Sequence, residues 1–146
     1  MASRTELWAA ISWATVATIA GAAVAPLEPS VLEEGLILHV AQRMIDGERL
    51  YSDVSFFTGP FPFQLLAGFF RIFGEHLFVA RGILVALQAL ATGLIFTSVR
   101  RSAGPASAHL VAAIVAFAPI LLFPFFTFYF YSSICYYLAV IAIFAG

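Results

Sequence analysis

Lysine is absent from this 146-residue chain, and all seven of its basic residues are arginine. Charge of either sign is scarce: 10% of residues are charged, 62% are hydrophobic, and the formal net charge is −1. Without a basic surface the chain is no match for nucleic acid, so that class of partner is excluded. A mean hydropathy of +0.99 lies far above that of soluble globular domains. The single cysteine, Cys135, sits in an apolar stretch, has no partner for an internal disulfide, and reads as a small packing residue. Also lacking are a glycine-rich phosphate loop, a nucleophile elbow and any His/Cys metal spacing; His39, His76 and His109 are far apart. Nothing in the residues calls for a cofactor or a metal.

What the chain does have is long apolar runs. Three complete spans are expected, at about residues 7–26, 77–99 and 108–123, each approaching the ~20 apolar residues that cross a bilayer. A fourth begins near Ile134 and is still apolar at Gly146, which reads as the N-terminal portion of a longer transmembrane domain occupying residues 1–146. Ala23-Val24-Ala25 resembles a signal-peptide cleavage site, but Pro26 obstructs cleavage and the run is long, so a retained helix is expected. The predicted fold is all-α: a polytopic transmembrane helical protein. Arg4 precedes the first span, and Arg100 and Arg101 sit in the tight connection between the second and third. The positive-inside rule therefore puts the N-terminus in the cytoplasm and residues 27–76 on the extracytoplasmic side.

Of the eight acidic residues, all but Glu6 lie between Glu28 and Glu75, in that outer loop. Carboxylates and arginines crowded beside a bilayer are costly, and such a cluster is read first as a functional site. Ser30 with Glu33 forms a capping-box pattern that opens a helix, and Asp46-Gly47 closes it. Leu36, Ile37, Val40, Ala41, Met44 and Ile45 share one face at about 100° per residue, opposite His39, Gln42, Arg43 and Asp46. A second helix, from Phe63 to Phe73, follows the Gly59-Pro60 turn, with Pro62 in its first turn and Gly74 as its stop. Both are expected to be amphipathic juxtamembrane helices.

Glu33 and Glu34 fall within the apolar face, in the first turn. Burial there favours the protonated acid, whereas the helix N-terminus and a nearby arginine favour the carboxylate. An acid under such opposing influences suits a general base, although capping alone accounts for Glu33. Arg49, Tyr51 and Asp53 alternate in a segment read as extended, so their side chains are expected to face one way; a solvated Arg49/Asp53 pair is the plainer reading. Arg81, near the outer end of the second span, has two readings: a side chain snorkelling to the headgroups, or a fork for phosphate oxygens. The aromatic run from Phe123 to Tyr137 is an interfacial belt or a surface for an isoprenoid chain or sugar ring. A proton-relay transporter would want acids within the spans, and the spans have none.

Taken together, Glu33-Glu34-Gly35, Ala41-Gln42-Arg43, Asp46-Gly47-Glu48, Tyr51-Ser52-Asp53, Gly59-Pro60, Phe73-Gly74 and Arg81 resemble the N-terminal region of membrane-embedded glycosyltransferases of the GT-C superfamily. The similarity is to the branch of dolichyl-phosphate-mannose protein mannosyltransferases. The resemblance implies a polyprenyl-phosphate sugar donor, a hydroxyl acceptor (protein, lipid or glycan) and inverting transfer of a mannose-like hexose at the outer membrane face. It implies that an acid at the start of the first loop helix is the base; relatives commonly carry Asp-Glu there, and Glu33 with Glu34 occupies that place here. Arg43, Arg49 and Arg81 become candidates for the donor phosphate, and Tyr51 and Asp53 for shaping the site. The alternative is a non-catalytic small membrane subunit or a truncated remnant whose loop binds a partner or an anionic lipid.

Overall fold

The computed structural model describes residues 4–27, 34–56, 58–123, 129 and 131–145. These form six helices: α1 (Arg4–Val24), α2 (Glu34–Ile45), α3 (Phe61–Phe73), α4 (Leu77–Ala103), α5 (Pro105–Leu121) and α6 (Tyr131–Ala145). No strand occurs among the described residues. With 21 and 27 residues, α1 and α4 are the two helices long and apolar enough to cross a membrane; α5 and α6 are shorter apolar helices.

α4 is the hub of the fold, packing against α1, α5, α6 and α3. Its buried positions, Ala80, Arg81, Ile83, Leu84, Gln88, Ala91, Thr92, Ile95 and Phe96, recur every three or four residues and form a continuous stripe. Small residues let its neighbours come close. α5 buries Ala108, Ala112 and Ala116, one per turn, and α1 buries Ala10, Ala17, Ala20 and Gly21. Close approach through small side chains is how helices associate where lipid supplies no hydrophobic drive. At one end of this three-helix group, Arg100 Nε meets Glu6 Oε1 at 3.2 Å, and the Trp13 indole donates to His109 Nδ1 at 2.9 Å. The start of α1 and the α4–α5 connection, where Gly104 alone separates the helices, therefore share that end.

The other end carries α2 and α3, which pack on each other. Ile37, Val40 and Ala41 of α2 join Phe63, Leu66, Ala67 and Phe70 of α3 in one core with Ala80, Ile83 and Leu84 of α4 and with Tyr129, Ile134 and Tyr137. Leu36, assigned from the sequence to the apolar face, is 48% exposed. It lies at the edge of that face, and the narrower stripe that α3 covers begins at Ile37. The end of α2 is as expected. Glu48 N–H donates to the Arg43 carbonyl at 3.0 Å and Gly47 N–H to the Met44 carbonyl at 3.3 Å, with Gly47 at φ 101°. That paired closure requires the left-handed backbone that glycine tolerates. Pro62 and Gly74 likewise bound α3.

Candidate functional site

Glu33 lies outside the described residues, as does Ser30. Glu34 opens α2 as described and is 1% exposed. Its carboxylate meets the Arg81 guanidinium side-on: Arg81 Nε donates to Oε1 at 3.1 Å and Nη2 to Oε2 at 2.7 Å. Arg81 is also 1% exposed. Its Nη1 donates to the carbonyls of Ala25 and, at 2.7 Å, Leu27, just past the end of α1. Tyr129 N–H completes the cluster, donating to Glu34 Oε1 at 3.1 Å. One ion pair thus ties together the end of α1, the first turn of α2, the first turns of α4 and the connection before α6.

Arg81 therefore does not snorkel. It turns inward because four acceptors at the helix junction satisfy the fork, a better outcome for a guanidinium than partial hydration at a span end. A buried pair of this kind owes its persistence to complete hydrogen bonding; either partner alone would be an uncompensated charge.

The remaining candidates form a second cluster, at the far end of α2. Arg43 pairs with Glu48, and its Nη2 also reaches the Asp53 carbonyl at 3.4 Å. The segment from Arg49 to Asp53 is not extended. It folds into a tight turn in which Asp53 Oδ2 accepts from Arg49 N–H at 2.8 Å, while the Arg49 carbonyl accepts from Asp53 N–H at 2.9 Å. This side-chain bond to the backbone competes successfully with an extended chain. Tyr51 sits at its tip with φ 73°, and its hydroxyl donates to the Thr58 carbonyl. Arg49, Tyr51 and Asp53 consequently do not face one way.

The structure brings Glu34 and Arg81 together and leaves Arg43, Arg49, Tyr51 and Asp53 apart from them. Arg43 lies nine positions after Glu34 on α2, a rise of about 13 Å that puts the two on opposite sides of the helix. Among the described residues no group of three or more His, Cys, Asp or Glu side chains is placed to hold a metal ion.

No protein-family model, curated protein or solved structure matches this chain.

Two features of this region went unnoticed in the sequence. Tyr129, in the aromatic run, is fully buried, donates its hydroxyl to the Pro62 carbonyl at 2.9 Å, and has its phenol pushed above the ordinary tyrosine range by burial. Nothing in the run marks it out from its neighbours, because a main-chain donor leaves no trace in residue type. Gln88 was likewise not singled out, although its residue type carried a signal: an amide in the middle of an apolar run is a position that polar side chains occupy for a reason. Beside the site, α3, α4 and Leu138 of α6 bound an apolar groove of about 490 Å³, lined by residues including Phe61, Phe69, Phe73, Ile83 and Leu87.

Proposed function

We propose that this chain belongs to a multi-pass α-helical membrane glycosyltransferase, similar to the GT-C superfamily, that transfers a mannose-like hexose from a polyprenyl-phosphate donor to a hydroxyl acceptor. In this reading the N-terminus is cytoplasmic, residues 27–76 face the extracytoplasmic side, and α2 and α3 lie at that membrane surface. The observation that carries it is the buried Glu34–Arg81 bridge. It fastens the first turn of α2, beside which Glu33 stands in the sequence, to three other elements at a single junction. A base needs such anchoring to meet its substrate in a fixed geometry.

The assignment separates the roles of the two acids. Glu33 takes the proton of the acceptor hydroxyl; the freed oxygen bonds to the anomeric carbon as the carbon–oxygen bond to the donor phosphate breaks, and polyprenyl phosphate leaves with the electron pair. Glu34 is the anchor, its carboxylate being committed to Arg81. Arg49, exposed on the loop, and Arg43 are the arginines proposed to meet donor phosphate; Arg81 acts through Glu34. The apolar groove beside α3 and α4 suits an isoprenoid chain.

The test is to supply radiolabelled polyprenyl-phosphate sugars to membranes containing the protein. Glu33→Gln is expected to lower transfer by about 10²–10⁴-fold, the usual contribution of a positioned base, with the amount of folded protein unchanged. Transfer at the normal rate would remove the catalytic assignment. The mutual engagement of Glu34 and Arg81 favours one other reading, a non-catalytic membrane subunit in which the bridge serves folding alone. That reading requires Glu33→Gln to be silent and no label to move.

A further inference from the structure

The middle of the helical bundle contains a polar contact that the proposed reaction does not use. Pro119 lies within α5. A proline there has no N–H to give, so the carbonyl of Val115, four residues earlier, loses its helical donor although the helix continues to Leu121. Gln88 of α4 is 2% exposed and its amide reaches this turn. Its Nε2 donates to the Ala116 carbonyl at 2.9 Å and approaches the Val115 carbonyl at 3.4 Å. The side-chain amide, with two hydrogens on one nitrogen, straddles the carbonyls of the interrupted turn.

Thr92 Oγ1, one turn on, donates to the main-chain carbonyl of Gln88 at 2.8 Å, a back-bond within α4. Gly21 of α1 faces the amide oxygen, and a Cβ at position 21 would come within 2.8 Å of Gln88 Oε1, too close for any real contact. Between Gly21, Gln88, Arg81 and Pro119 lies a cavity of about 10 Å³, close to the space of one water. Three helices thus contribute to one arrangement: a proline in α5, an amide on α4 and a side-chain-free position on α1.

We propose that Gln88 is an interhelical clasp that supplies the hydrogen bonding Pro119 removes from α5, and that it thereby holds the last turn of α5 against α4.

A double-mutant cycle on the full chain in detergent tests this. Gln88→Met keeps the volume and removes the donor; in the Pro119 protein it should lower the melting midpoint by on the order of 4 °C. In a Pro119→Ala background, where the residue-119 N–H takes up the Val115 carbonyl and only the bond to Ala116 remains to be lost, the same change should lower it by about half as much, roughly 2 °C. Carbon-13 labelling of the valine carbonyls, with Val115 assigned by difference, gives a second readout: the Val115 amide band should move to higher frequency in Gln88→Met. Equal losses in both backgrounds, or an unmoved Val115 band, would overturn the proposal. Should Gln88→Met alone fail to fold, rescue by Pro119→Ala supports the clasp, and failure of the double variant overturns it.

Discussion

At the scale of single residues, the arrangement around Glu34 separates two things that charge alone conflates. A carboxylate in a partly apolar setting can be a reagent or a fastener, and the difference lies in how many of its acceptor positions are occupied. Glu34 accepts from both sides of the Arg81 fork and from Tyr129 N–H. Removing one partner should therefore be far worse than removing both. Glu34→Leu or Arg81→Met alone is expected to cost about 3–5 kcal/mol, because the remaining charge stays buried without its counterpart. Glu34→Leu combined with Arg81→Met should recover most of that loss. Thermal melting of the four proteins measures the coupling; additive losses would mean that the two side chains act independently.

At the scale of elements, α2 is where sequence and structure agree best and diverge most sharply within a few residues. Its C-terminal closure was legible because only glycine accommodates φ 101° cheaply, and Gly47 follows the last apolar position. A Cβ at Gly47 would meet nothing within 4 Å, so Gly47→Ala isolates the backbone term. It should destabilise by about 1–2 kcal/mol, the usual cost of left-handed backbone for an L-residue, and hydrogen exchange at Gly47 and Glu48 should quicken. No quickening would show that the closure does not depend on glycine. Four residues further on, alternation suggested an extended strand-like piece. The turn actually formed is set by Asp53 reaching back to Arg49 N–H, a choice between two local hydrogen-bonding modes that residue alternation does not record. Helix existence follows from composition and period; a loop's shape follows from which side chain captures which amide.

At the scale of the whole molecule, the apolar runs gave the order and approximate bounds of α1, α4, α5 and α6, since burial of long hydrophobic stretches is read directly from residue type. The pairing of polar residues inside those helices was not legible. Arg81 with Glu34 and Gln88 with Ala116 join positions distant in the chain, and no local pattern encodes such a meeting. The proposed topology makes a definite demand. In a variant with Cys135 replaced by serine, a cysteine placed at Ser102 should react with an impermeant maleimide only from the cytoplasmic side, and one at Ser52 only from the other. Labelling of both from the same side would overturn the assignment of α4 as a crossing helix.

The third donor to Glu34 is a main-chain N–H, and that has an evolutionary consequence. Every amino acid but proline brings the same donor to position 129, so identity there is constrained instead by the phenol's bond to Pro62 and by its full burial in the core. What must be kept is arithmetic: the number of residues between the end of α5 and that amide. Insertions and deletions in this connection should be purged while its spelling drifts, leaving a tract conserved in length and variable in letters.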